Sequence, residues 1–284
     1  MSSSLTPPPK VTIEQFDAYE RAAWPSRAST YRDGFAQLTG HTVGPLLDAA
    51  GVRAGTRVLD VGCGPGVVTG VALARGANVV AADATPEMLD LVRAAHPGVE
   101  AHHAILPDLP FPDESFDAVV GNFVINHVGD TAAALAQIAR VLRPGGLVAL
   151  SCWDKPNMYA TGVFDEALEA RGAVRPAELP SSGRFLAGAP DLATGFAALV
   201  AGAGLLEPQV LEVRWRHDVD ADAWWHAVIR GTPMTGAVIS GQDPDMLESI
   251  RLAYLELTAP YRRPDGLVGL PAAALVAVGR RPGP

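Results

Sequence analysis

Between Arg57 and Cys152, short apolar runs alternate with helical patterns, and this alternation restricts the fold more than any other feature of the chain. Segments 57–61, 77–82, 99–105, 116–121 and 147–152 read as the first five strands. Helices are predicted over 67–75, 86–95 and 132–142. Strands that are apolar throughout are buried on both faces, so the pattern implies a parallel sheet layered between helices.

The flanks are organised differently. A Ser/Pro-rich stretch, 1–10, reads as a disordered tail, and 11–50 as N-terminal helices (12–23, then 28–50 interrupted at Gly44-Pro45). The main domain is expected over 51–216, with a Pro- and Gly-bearing insertion at 154–190, a helix at 192–203 and a strand at 210–215. Segment 217–270 carries helical patterns at 221–230 and 245–259. It reads as a helical cap or lid over the carboxyl edge of the sheet, where open α/β folds bind ligands. The last strand, 274–278, lies in a closing segment, 271–284.

Composition narrows the partners. The net charge of −9 is spread without a basic run, which argues against nucleic acid. No apolar run approaches the ~20 residues that span a bilayer, so no membrane partner is expected. Cys63 and Cys152 are the only cysteines and make no CxxC pair, which suits a reducing cytoplasm and gives no zinc signature. A small-molecule substrate fits best, and a homodimer is compatible with everything above.

The turn Asp60-Val-Gly-Cys-Gly-Pro-Gly66 follows the first strand. Its glycines allow a tight strand-to-helix turn and a close ligand approach. A dinucleotide fingerprint would need a third glycine where Val67 stands. Asp60 would sit badly beside a pyrophosphate but can help hold a ligand bearing an ammonium group. Asp83, ending the second strand, can accept both hydroxyls of a ribose; its plainer reading is a helix cap before Pro86.

These residues resemble motif I and the ribose-binding acid of class I S-adenosylmethionine-dependent methyltransferases. Leu109-Pro-Phe-Pro-Asp-Glu-Ser-Phe-Asp-Ala-Val-Val120 and Leu142-Arg-Pro-Gly-Gly146 resemble the family's later motifs, in the same order. The resemblance covers about 51–153 and fades outside it. It implies an α/β fold with a seven-stranded, mostly parallel sheet of order 3-2-1-4-5-7-6, strand 7 antiparallel, helices on both faces and a helical cap. It also implies S-adenosylmethionine as cofactor. Asp60, Gly62, Cys63 and Gly64 would surround its methionine part, and Asp83 and Ala84 its ribose. Met88 would pack on the adenine, although core Met is the commoner fate of such a residue. Ile105 and Leu106 would meet the adenine through their backbone, because the family's acidic residue is missing there. The backbone at Asn122 and Phe123 would face the methionine end. Tyr31 is similar to a tyrosine that closes over the cofactor in small-molecule members, and packs equally well as an ordinary core residue.

Methyl transfer to a hydroxyl gains from a base, most naturally His. His127, after the fourth strand, and His226, in the cap beside Trp224 and Trp225, are the candidates; each also reads as scaffold or surface. Trp153, Trp215, Trp224 and Trp225 offer a wall for a planar or terpenoid substrate, although aromatics at strand ends and on helix faces more often belong to the core. No carboxylate cluster suggests a metal. The expected function is methyl transfer to a small molecule in bacterial specialised metabolism. The alternatives are a cyclase or rearrangement enzyme on the same fold, and a non-catalytic cofactor-binding subunit.

Overall fold

The computed structural model describes residues 11–176, 179–180, 186 and 189–283. The tail expected at 1–10 and part of the 154–190 insertion lie outside these residues. Helix α1 (Ile13–Ala23) opens on a capping box, in which Thr12 and Gln15 satisfy each other's backbone N–H. The single helix expected over 28–50 is a relay of turns. It runs α2 (Ala28–Thr30), a π-helical turn Tyr31–Phe35, α3 (Ala36–Thr39), a 3-10 turn Gly40–Thr42 and α4 (Val43–Ala49). Pro45 does not break it, since Pro is tolerated in the first turn of a helix.

Strand β1 (Arg57–Val61) leads through α5 (Val67–Ala74) to β2 (Asn78–Asp83), and α6 (Pro86–Ala95) to β3 (Glu100–His103). Then come β4 (Phe116–Gly121), α7 (Thr131–Val141) and β5 (Leu142–Trp153). Strand β5 starts five residues before the expected position, because Gly145 and Gly146 exchange backbone hydrogen bonds with Arg281. After α8 (Tyr159–Ala170) and α9 (Leu192–Gly202), β6 (Leu206–Val219) reaches three helices of the segment expected as a cap, α10 (Ala221–Gly231), α11 (Met234–Ser240) and α12 (Pro244–Thr258). Strand β7 (Val268–Arg280) closes the chain.

The sheet order is β3-β2-β1-β4-β5-β7-β6, with β7 antiparallel to both neighbours, as the resemblance implies. Alternate side chains feed two layers. Val58, Val120 and Val276 pack with α4 and α5, whereas Leu59, Val119 and Leu275 pack with α7 and α9. Strands β6 and β7 run well past their expected ends, because their antiparallel ladder pairs continuously from Gln209 to Val219. Periodicity alone underestimates such a ladder, since the exposed face of β6 carries charges (Glu212, Arg214, Arg216, Asp218) held in pairs along the strand.

A third core lies beyond the carboxyl edge of the sheet. It joins α8, α10 and α12 to the π turn through Phe35, Phe164, Trp224, Trp225 and Tyr254. Helix α8 was not expected, although its buried residues Ala160, Val163, Phe164 and Ala167 follow helical spacing. The turn comes so close to α10 that a Cβ on Gly34 would lie 2.6 Å from that of Ala227. This contact and the stacked rings of Phe35 and Trp224 (5.5 Å) tie the N-terminal relay to the cap.

Candidate functional site

The ends of β1, β2, β4 and β5 open into a cavity of about 790 Å³. Its floor is the turn after β1. Gly62 and Gly64 take left-handed φ values of +65° and +52°, which a residue with a side chain adopts only under strain. A Cβ on Gly62 would strike Val124 at 2.3 Å, whereas one on Gly64 would meet nothing within 4 Å. The chain therefore needs glycine at 62 for its own packing and leaves open space above 64. Asp83 anchors the turn: its Oδ2 accepts the Gly64 N–H at 2.8 Å and its Oδ1 the Thr85 N–H at 2.9 Å. Burial raises the Asp83 carboxyl above its ordinary range, against these hydrogen bonds, which lower it.

After β4 the chain passes through Asn122 and Phe123. The Asn122 side chain turns away into a polar knot. Its Oδ1 accepts from Thr42 Oγ1 (2.7 Å) and Ser151 Oγ (2.6 Å), and its Nδ2 donates to the Thr39 carbonyl (3.0 Å). Phe123 is held at φ +56°, its N–H donating to Ser151 Oγ and its ring stacked 3.7 Å from Trp153. Non-glycine residues keep such a conformation only where their surroundings enforce it, and here the knot does so. Thr39, Thr42 and Ser151 thus shape the site without local sequence signals, being brought together by three separate elements.

The roof comes from α1 and its C-cap (Phe16, Glu20 and Trp24), α8 (Thr161, Leu168) and α11 (Met234, Val238). Tyr31 hangs from it, with its hydroxyl 3.3 Å from Thr39 Oγ1 and its phenol pushed up to about 12 by burial. Of the four tryptophans considered as a substrate wall, Trp153 lines the cavity. Trp224 and Trp225 fill the cap core instead, and Trp215 stacks on His41. Trp24, at the end of a helix whose sequence advertised only amphipathicity, takes their place.

A methyltransferase-domain family model matches residues 59–150, the span from β1 into β5. An uncharacterized protein of Mycobacterium tuberculosis is 36% identical over 176 residues, covering 58% of this chain and 62% of that one. A malonyl-[acyl-carrier protein] O-methyltransferase of Serratia marcescens is 36% identical over 129 residues, covering 44% and 49%. The chain thus spans less than two thirds of the length of these curated relatives. In fold it is similar to the YcgJ protein of Bacillus subtilis, at 21% identity and a TM-score of 0.55, covering 86% of this chain and 99% of that one.

Within the matched span, Gly62, Gly64, Asp83, Ala84, Met88, Ile105, Leu106, Asn122, Phe123 and His127 all border the cavity, joined from the N-terminal relay by Tyr31. Three expected residues do not. The Cys63 side chain is buried away from the cavity, in a small core with Ala81, Leu89 and Val92. His226 is exposed, because the buried face of α10 is taken by Trp224, Trp225 and Val228. Asp60 lies beneath the turn, fully buried. Among the described residues no cluster suited to a metal occurs, and no helix is long and apolar enough to cross a membrane.

Asp60 leads to a pH prediction. Its Oδ2 accepts from Thr69 Oγ1 at 2.6 Å, while Oδ1 has no partner among the described residues. Burial pushes the carboxyl up to about 7, and the nearby Asp83 charge adds to the rise. A carboxyl that holds its proton more tightly folded than unfolded stabilises at low pH, and that contribution is lost as pH rises through about 7. Without cofactor, the chain is expected to lose about 2–3 kcal/mol between pH 5 and pH 8 on this account. Asp60→Asn should flatten the loss. Urea unfolding at both pH values checks this, and equal losses in the two proteins would place the proton elsewhere.

Proposed function

We propose that the chain is an S-adenosylmethionine-dependent methyltransferase that modifies a small-molecule acceptor in the cytoplasm. The observation carrying this reading is one continuous cavity. It runs from the Gly62–Gly64 turn and Asp83 at the sheet edge to an apolar chamber under α1, α8 and α11. The residues present fit the cofactor. There is open space above Gly64, the Asp83 carboxylate borders the cavity and would accept from ribose hydroxyls, and Met88 and Ile105 would form an apolar wall for a purine. When bound, the cofactor supplies a methyl group on a sulfonium, a carrier reactive enough for the protein to work chiefly by alignment.

In this reading the protein's own residues divide the labour. The Gly62–Gly64 backbone and Asp83 hold the cofactor, and the rigid Asn122–Phe123 turn presents backbone to its methionine end. The roof of Phe16, Trp24, Met234 and Val238 excludes water from the acceptor. Helices α8, α10, α11 and α12 act as its lid. The aromatic, largely apolar chamber favours a planar or terpenoid acceptor of specialised metabolism.

Asp83→Ala is the direct test. Loss of a charged hydrogen-bonding partner should weaken S-adenosylmethionine binding roughly ten- to hundredfold, from about 1.5–3 kcal/mol. Calorimetry on the folded variant measures it, and unchanged affinity would remove Asp83 from the site. Formation of S-adenosylhomocysteine alongside a methylated product separates methyl transfer from a rearrangement on the same fold.

A further inference from the structure

We infer that Glu20 and His127 form a base dyad in the roof of the cavity, and that the acceptor is therefore an un-ionised hydroxyl. The inference rests on the methyltransferase reading above and narrows it to oxygen acceptors that must lose a proton. Glu20 is 5% exposed, an unusual place for a carboxylate without partners that hold it. One of its oxygens, Oε2, faces two donors, Trp24 Nε1 at 2.9 Å and His127 Nδ1 at 3.0 Å. An ionised carboxylate only accepts, so it is Nδ1 that carries a proton toward Glu20, and whenever the ring is neutral Nε2 is the nitrogen left with its lone pair. The Trp24 ring stands edge-on against the imidazole at 5.2 Å and fixes its plane. His127 and Glu20 both border the cavity. Glu20 comes from α1 and His127 from the turn after β4, more than a hundred residues apart, so no sequence motif announces the pair.

The arrangement suits one kind of acceptor. A carboxylate acceptor is already ionised and has no proton for a base to take. A neutral amine attacks a sulfonium with its own lone pair and can shed its proton afterwards. An alcohol or phenol attacking as a neutral oxygen would become a strongly acidic oxonium, so removing the proton as the bond forms lowers the barrier. The acceptor oxygen bonds to the methyl carbon. The carbon–sulfur bond breaks, with its electron pair passing to sulfur, and the hydroxyl proton passes to His127 Nε2. Glu20 is a positioning residue: it holds the tautomer and balances the imidazolium. Asp17, beside it, is occupied with the Gly129 N–H at 2.7 Å. Arg21 on α1 and Lys155, Asp165 and Arg175 are further charged residues bordering the cavity.

Two measurements test this. Nitrogen NMR of histidine-labelled protein should show His127 as the Nδ1–H tautomer, and Glu20→Ala should abolish that preference while leaving S-adenosylmethionine affinity unchanged. An Nε2–H tautomer in the parent chain overturns the dyad whatever the acceptor. The second measurement is S-adenosylhomocysteine release with phenol and with 4-nitrophenol, which is largely ionised in mildly alkaline buffer. His127→Ala should lose about 10²–10⁴-fold on phenol and far less on 4-nitrophenol. Glu20→Gln should follow the same order with smaller losses. Equal losses on both phenols, or turnover of aniline and neither phenol, overturns the hydroxyl assignment. Failure to bind S-adenosylmethionine would instead defeat the methyltransferase reading, and the tautomer measurement alone then decides whether the dyad exists.

Discussion

Gly62→Val is expected to abolish cofactor binding and to destabilise the chain by about 2–5 kcal/mol. Two costs add. The backbone at 62 has φ +65°, which a β-branched residue resists, and the new Cβ would lie 2.3 Å from Val124 Cγ2 and 2.6 Å from its Cβ. Val124 cannot step aside easily, because it also lies where a Cβ on Gly121 would be, 2.7 Å away. The turn must therefore shift, and the Gly64 N–H that Asp83 holds at 2.8 Å shifts with it. Gly64→Ala makes the informative comparison. It meets no protein atom within 4 Å, so its folding cost should be only the ~1–2 kcal/mol of a left-handed residue, while its effect on binding reports how closely a ligand passes. Thermal unfolding and calorimetric titration of both variants check this. Parental affinity in Gly62→Val would mean that the turn is not the cofactor floor.

Trp224→Ala should cost about 3–5 kcal/mol, the range for truncating a large buried aromatic. The ring is 1% exposed, stacks on Phe35 at 5.5 Å and meets His217 at 4.5 Å. Its Nε1 donates to the Ala160 carbonyl at 2.7 Å, so truncation also removes a hydrogen bond to α8. It therefore joins α10 to α8, to β6 and to the N-terminal relay. His226→Ala, two residues along on the exposed face, should stay within about 0.5 kcal/mol. Denaturant titration of the two variants gives the comparison. A loss below about 1 kcal/mol for Trp224→Ala would show that the cap is not folded onto the chain as a unit.

How much of this can be read from residues alone depends on how local the cause is. Strands β1 and β4 and helix α6 have the predicted bounds, because each is a short apolar or amphipathic run closed by its own turn residues. Motif I and Asp83 are legible for the same reason: turn and carboxylate act through their own backbone and their immediate strand neighbours. The Pro and Gly residues flanking α8 hide a helix whose apolar spacing is present in the chain all the same. Adjacency to the right motif or segment points to Cys63, Asp60 and His226 as site residues. What adjacency lacks is the facing direction, which is set by neighbours far away in the chain.

By itself, then, the sequence determined the strand–helix alternation, the glycine turn and the acid at the end of β2. In each of these the forces act within a few residues or between adjacent parallel strands. Tertiary structure alone decided the roof and the polar contacts that shape the site. Glu20 meets His127, and Thr39, Thr42 and Ser151 meet Asn122, only because α1, the N-terminal relay, β4 and β5 converge at one end of the sheet. A buried hydrogen bond depends on where two elements pack, and packing is settled by the summed burial of many side chains rather than by the few that make the bond.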